Sequence, residues 1–180
     1  MAWLKQHAKV SKLNPNTSET IAHAAEKFHK KVPDWNPNES AFRRTAESKM
    51  CYAEAPERGF SAQFALAYRA AARPFEEIAT HDSFISVDLG PDAKLVYQKN
   101  RYVDQRSYNI YIRCGVRGAP ASQLNDVLLE GSMTDLLTDD LSSYRPHLQH
   151  LLHSAKVMAD GFKCTNNPQI PTALPSSVKD

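Results

Sequence analysis

The spacing of apolar residues changes twice along this chain, and that change constrains the fold more than any other feature. Apolar side chains recur every three to four positions before about residue 80, every second position between residues 83 and 114, and every three to four positions after about residue 120. The first spacing is typical of an amphipathic helix and the second of a half-buried strand. The sequence therefore predicts an α+β fold with a helical N-terminal half, a three-stranded antiparallel meander near residues 83–114, a helical C-terminal part and an extended tail.

Three helices and a short fourth one are predicted before residue 80. The first begins near Asn16–Ser18, ends at Pro33 and has one apolar face, made of Ile21, Ala24, Ala25, Phe28 and Val32. The second is expected to begin near Ser40, to have Phe42, Ala46 and Met50 as its apolar side, and to end before Pro56. The third is expected over residues 59–73, where alanine is frequent and the aromatic residues Phe60, Phe64 and Tyr68 are four positions apart. Pro74 should then begin a short helix.

The strands of the meander are predicted from alternation. Three runs place apolar residues on every second position and are joined by short polar turns, namely SFISVDL from residue 83, KLVYQK from residue 94 and SYNIYIRCG from residue 107. Runs of this kind, separated by turn residues, predict consecutive antiparallel strands.

Helical spacing returns in the last third of the chain. It is interrupted at Gly131 in a first helix from about Pro120 to Leu137, and it is continuous in a last helix with Pro146 in its first turn. The apolar stripe of that last helix is Leu148, Leu151, Leu152, Ala155 and either Met158 or Ala159. After Gly161 the chain has three prolines and no period, which predicts an extended tail.

The irregular ends define the predicted domain organisation. The low net charge, 22 basic against 20 acidic residues, argues against disorder, and we expect one domain over residues 16–162. An N-terminal arm, residues 1–15, and a C-terminal tail, residues 163–180, should flank it. Apolar residues in these arms have no helix or strand of their own, so Trp3, Ile170 and Leu174 are predicted to be anchors on partner chains.

The number and spacing of the three cysteines indicate the redox state of the compartment in which the protein is found. Cys51, Cys114 and Cys164 are odd in number and widely spaced, which fits neither a disulfide framework nor a zinc motif. We therefore predict three free thiols and an intracellular, reducing location. No apolar run approaches the roughly 18 residues of a membrane span, and the N-terminal residues do not resemble a signal peptide.

The stretch from Lys99 to Arg117 supplies the other interface candidates. Five basic residues face a single acidic one, Asp104, and tyrosines lie between them. Tyr and Arg are frequent in protein–protein hot spots, which makes this stretch a predicted protein interface formed by Tyr102, Arg106, Tyr111, Arg113 and Arg117. Cationic strands with exposed rings also hold single-stranded nucleic acid, so a nucleic-acid partner is possible.

The histidines of HLQHLLH are weak metal candidates. His147, His150 and His153 are spaced by three on the predicted last helix, but no acidic partner or H-E-x-x-H pattern accompanies them. A solvated helix face explains the same spacing. The sequence predicts no metal, no cofactor and no catalytic residue.

These observations favour a non-catalytic structural or accessory subunit of a larger assembly, such as a multisubunit complex or a virion. It would dock on other protein subunits through its extended ends and a Tyr/Arg-rich sheet face. One alternative is a small enzyme or a delivered effector that uses Arg113 and a histidine. A second alternative is a single-stranded nucleic-acid-binding module that uses the Lys99–Arg117 stretch.

Overall fold

A computed structural model of the protein describes residues 9–16, 19–36, 47–58, 63–78, 82–98, 106–137 and 144–178. Its main element is one antiparallel sheet of seven strands in the order β1-β2-β3-β7-β6-β5-β4. The strands are β1 (Asn14–Asn16), β2 (Ser48–Glu54), β3 (Gln63–Ala72), β4 (Phe84–Asp88), β5 (Ala93–Gln98), β6 (Arg106–Ile112) and β7 (Val127–Asp135). The prediction of a helical N-terminal half beside a three-stranded meander is therefore wrong.

The described helices are two long ones and a short one. They are α1 (Ile21–Lys31), α2 (Gln123–Asp126) and α3 (Arg145–Phe162), and single 3-10 turns lie at Val32–Asp34, Pro56–Arg58 and Phe75–Glu77. Helices α1 and α3 pack on the same face of the sheet, because the core residues of both belong to one cluster with alternate residues of the strands. The opposite face carries a second, small apolar cluster around Phe75 and Leu128.

The three predicted strands exist, but they are only part of the sheet. Strands β4, β5 and β6 pair with one another in sequence and antiparallel. Strand β6 then pairs with β7, and β7 pairs along its whole length with β3. The sheet thus joins a C-terminal meander, β4 to β7, to an N-terminal group of three strands, β1 to β3.

Strand β3 replaces the third predicted helix. Phe64 and Tyr68 are four positions apart, and this even spacing places both on one face of a strand as readily as on one face of a helix. Both side chains are buried with the α1 and α3 side of the core. The small alanines of this segment fit a strand in the middle of the sheet, where Ala67 and Ala71 are only 4% exposed. Pairing with β2 and β7 therefore outweighs the helix propensity of alanine.

Of the helix predicted from about Pro120 to Leu137, residues 123–126 are helical as α2, and strand β7 replaces the part from Val127 to Asp135. Leu128 and Leu129 point to opposite faces and are both fully buried, so the strand shows no alternation in its sequence. Gly131 is required by the neighbouring strand, because a Cβ at this position would lie 2.6 Å from Cε1 of Tyr68. Of the second predicted helix, residues 48–54 form β2, and residues 40–46 lie outside the described residues.

The first and last predicted helices are present, but the first begins at Ile21 and not near Asn16–Ser18, because Asn16 belongs to β1. Helix α1 is capped by Thr20, whose side chain accepts a hydrogen bond from the backbone N–H of His23, and it buries Ala24, Ala25 and Phe28. Helix α3 has a proline in its first turn and ends where Lys163 adopts a left-handed conformation. The predicted stripe is the buried face of α3, with Phe162 and His147 added to it.

A disulfide joins Cys114 to Cys164, and only Cys51 is a free thiol. The prediction of three free thiols is wrong, and the bond argues against the predicted reducing compartment. Cys114 lies in the core, in phase with Ile110 and Ile112. The prediction failed because Cys164 was assigned to an extended tail, whereas it packs in the same core.

Residues 163–178, the described part of the tail, contain no helix or strand, as predicted, but they pack on their own domain. Ile170, Leu174 and Val178 are each less than a tenth exposed and belong to the main core cluster. Hydrogen bonds hold the tail at both ends. The backbone N–H of Thr165 donates to Gly115, and the Arg145 guanidinium donates to the carbonyl of Val178. The tail therefore runs back along α3, from the C-terminal end of that helix to its first turn.

Candidate functional site

A pocket of about 520 Å³ lies where α1, β3 and the C-terminal end of α3 meet. Sites for small organic molecules usually enclose about 300–1,000 Å³, so this pocket has the size of a binding site. It is lined by Ala24, Lys27, Phe28, Lys30, Lys31, Asp34, Ser48, Tyr68, Arg69, Ala70 and Phe162. We call this space the α1 pocket.

The floor of the α1 pocket is apolar. Helix α1 contributes Ala24 and Phe28, which are four positions apart and so lie one turn apart on the same face. The ring of Phe28 meets the ring of Phe162 edge to face, with the ring centres 5.4 Å apart. Strand β3 contributes Tyr68 and Ala70. Because two of these side chains are alanines, space is left between the helix and the sheet.

Tyr68 forms part of the floor, and its hydroxyl is hydrogen-bonded within the protein. The hydroxyl is 2.8 Å from the hydroxyl oxygen of Ser154 on α3, and Ser154 donates to the carbonyl of Leu151. Burial raises the pKa of Tyr68 far above its ordinary value. Tyr68 is therefore a neutral wall of the pocket at physiological pH.

The mouth of the α1 pocket is cationic. Lys27, Lys30 and Lys31 lie on the last turns of α1, and Asp34 is the single acidic residue that lines the pocket. The Lys27 ammonium is 2.8 Å from Oε1 of Glu19, and its hydrogen bond holds the pKa of that carboxyl below its usual value. Lys30 is exposed and has no hydrogen bond or ion pair within the described part of the chain. The ammonium group of Lys30, unpaired within the described ranges, thus lies beside an apolar floor.

A second cluster of charged groups lies on the opposite face of the sheet. Glu130 is 2% exposed and accepts two hydrogen bonds from Arg69, at 2.6 and 3.1 Å, and one from the Tyr111 hydroxyl at 3.2 Å. Arg69 also donates to Glu47, at 2.6 Å. Burial and the neighbouring Glu130 raise the pKa of Tyr111 to about 12. These groups satisfy one another across β3, β7 and β6, so the cluster ties the sheet together.

The predicted interface residues of the Lys99–Arg117 stretch do not form one surface. Tyr111 is buried in the Glu130 cluster, and the Arg113 guanidinium lies 4.1 Å from the ring centre of Phe75 and 2.7 Å from Glu76. Arg117 is exposed in a turn. Arg106 is the first residue of β6. Tyr102, and Trp3 of the predicted arm, lie outside the described residues.

The histidine stripe is divided between core and surface. His147 is 3% exposed, donates from Nε2 to Asp135 at 2.7 Å, and stacks on Tyr108 with 5.0 Å between the ring centres. His150 and His153 are exposed on α3. In the described ranges no group of three potential metal ligands comes together. His147 therefore ties the start of α3 to the end of β7.

Sequence reasoning missed the α1 pocket. Its walls come from three segments that are distant in the chain, and one of these, β3, was predicted to be a helix. The lysines near the end of α1 were the available signal, but their position at a helix C-terminus explains them through the macrodipole alone.

The described helices include none that combines the length and the apolarity needed to cross a membrane. No protein-family model, curated protein or solved structure matches this chain.

Proposed function

We propose that the protein is a non-catalytic accessory protein that binds a small organic molecule in the α1 pocket. The observation that carries the proposal is the pocket itself, about 520 Å³ at the junction of a helix, a strand and the end of a second helix. Protein interiors are close-packed and contain few voids larger than a water molecule. A space of this size, next to an otherwise continuous core, is a place where a ligand can complete the packing.

The residues of the pocket support this role. Phe28 and Phe162 offer ring faces and edges to an apolar ligand, and Ala24 and Ala70 leave room for it. Largely apolar walls with a few polar groups at one end are typical of sites for small molecules, because burial supplies affinity and the polar groups fix orientation.

A neutral fluorescent probe tests the proposal. N-phenyl-1-naphthylamine should bind the folded protein saturably and at one site. Ala24→Leu, which extends a side chain into the pocket, should weaken binding at least tenfold. Ala22→Leu is the matched control, since Ala22 is an exposed residue of the same helix that does not line the pocket. Both variants should unfold at temperatures close to that of the original protein.

Two results would contradict the proposal. The first is the absence of saturable binding by the original protein. The second is equal affinity of Ala24→Leu and Ala22→Leu for the probe, which would place the bound probe elsewhere.

Docking on other subunits of an assembly stays a prediction, and the packing of the tail removes part of its basis. Ile170 and Leu174 are buried in the core of their own chain, which removes the premise that the tail needs a partner. Tyr111 and Arg113 are engaged within the domain, which also weakens the nucleic-acid alternative. Arg117 is exposed and is available to a partner.

A further inference from the structure

We propose that the α1 pocket selects molecules with an apolar body and one anionic head group, a carboxylate or a phosphate. This inference rests on the proposed function, because it specifies the ligand of the same pocket. It follows from the arrangement of charge at the mouth relative to the apolar floor.

The three lysines of the mouth share one side of α1. Lys27, Lys30 and Lys31 are related by spacings of three and four, which bring side chains together on a helix surface. All three line the pocket, together with a single carboxylate, Asp34. Lys27 is paired with Glu19, Arg69 is paired with Glu130, and Lys31 also has an interaction of its own. Within the described part of the chain, Lys30 is therefore the lining cation that is open to a ligand. The mouth therefore carries an excess of positive charge.

The helix macrodipole explains only part of this arrangement. Cations at a helix C-terminus are stabilised by the carbonyl groups there, by about 0.3–1 kcal/mol each. That effect does not depend on which side of the helix the lysines occupy. Like charges three or four positions apart also repel one another. A bound anion relieves this repulsion, and it does so only if the lysines border the ligand.

The geometry gives the ligand an orientation. Its apolar body would lie against Phe28, Phe162 and Ala24, and its head group would lie at the mouth beside Lys30. The aliphatic stems of the lysines extend the apolar wall toward solvent, while their ammonium groups stay hydrated. A ligand with a cationic head would meet repulsion in this position, and a ligand with a neutral head would gain only the apolar contacts.

Competition among four twelve-carbon ligands tests the inference. Dodecanoate, dodecyl phosphate, dodecanol and dodecyltrimethylammonium are used below their micelle concentrations to displace N-phenyl-1-naphthylamine. Both anions should bind roughly tenfold tighter than dodecanol at low salt, the advantage expected from one or two exposed ion pairs. The cationic ligand should bind most weakly, and added salt should reduce the differences in affinity among the four ligands. The two anions show which head group is preferred.

A pair of charge variants locates the effect. Lys30→Gln should remove most of the preference for dodecanoate over dodecanol and leave the affinity for dodecanol unchanged. Lys12→Gln makes the same change of net charge at an exposed lysine that does not line the pocket, and it should leave the preference intact.

The outcomes separate this inference from the proposed function. If neither the probe nor any of the four ligands binds, the proposed function fails. If dodecanol or the cation binds as tightly as dodecanoate, the pocket stands and the anion preference is wrong. If Lys12→Gln reduces the preference as much as Lys30→Gln, the preference comes from net charge and the role of the mouth is wrong.

Discussion

The two long helices cover the same face of the sheet, and they do so with different completeness. Helix α3 has eighteen residues and buries eight of them, whereas α1 has eleven residues and buries three. Leucines of α3 fill the space above the sheet, but α1 meets β3 through alanines and leaves the α1 pocket. One face of a sheet can therefore be packed completely by a helix at one end and leave a pocket for a ligand at the other end.

The surroundings of the two helices reinforce this difference. The disulfide and the buried tail fasten α3 at both of its ends. Helix α1 is held at its crossing with the end of α3, where the His29 ring bonds the carbonyl of Phe162 and Ile21 contacts Gly161. The loss of a fastening should therefore matter more around α3 than around α1.

Reduction of the disulfide should have the largest effect on stability. Linking two residues 50 positions apart restricts the unfolded chain, and opening the link should lower the free energy of unfolding by roughly 4 kcal/mol. Urea unfolding with and without a phosphine reductant measures the difference. Cys51→Ser, which removes the free thiol, should respond to the reductant like the original protein. If the unfolding curves with and without the reductant superimpose, for a sample verified to be oxidised at the start, the disulfide does not stabilise the α3 side.

Truncations on the two helices should rank in the order of their packing. Leu151→Ala removes a side chain that is 0% exposed and should lower the free energy of unfolding by about 3.5 kcal/mol. Phe28→Ala removes a larger side chain, yet it should cost about 3 kcal/mol, the low end for this substitution, because one side of the ring borders the pocket. Chemical denaturation of both variants gives the comparison. A larger loss for Phe28→Ala would mean that α1 is packed as completely as α3.

The crossing of the two helices should show the smallest effect. A Cβ at position 161 would lie 2.4 Å from Cγ2 of Ile21, so Gly161→Ala should destabilise the protein by about 1 kcal/mol. On an Ile21→Ala background the same substitution should be neutral or stabilising, since alanine favours a helix more than glycine does. A double-mutant cycle measures this coupling. Equal effects on both backgrounds would show that the helices adjust independently.

The sequence predicted the elements whose apolar residues follow a single period. Helices α1 and α3 and strands β4 to β6 alternate or repeat in this way, and each lies within a few residues of its predicted position. Strands β5 and β6 keep this alternation although both of their faces are buried. In β3 and β7, which are also buried on both faces, alanines and adjacent leucines replace the alternation, so no single period appears. Spacings of four, such as Phe64 to Tyr68, are compatible with either structure. The error in fold class comes from these two strands.

The candidate site was less predictable than the fold. The α1 pocket exists because a helix, a strand and a helix end from distant parts of the chain meet there, and no local pattern records that meeting. The Glu130 cluster was also missed, since Arg69 and Glu130 become neighbours only through the pairing of β3 with β7. The lysines of α1 are explained by the helix macrodipole alone, so their position in the sequence did not indicate a pocket.

The pairing of β3 with β7 also has a consequence for the folding rate. Each group of strands, β1 to β3 and β4 to β7, is formed by neighbours in sequence, whereas the two groups meet only through residues as distant as Phe64 and Asp135. Closing such a long loop is entropically unfavourable and slows folding. We expect the meander and its helix α3 to form first, and the N-terminal strands to join afterwards. The α1 pocket, which needs both groups, would then be the last feature of the native state to appear.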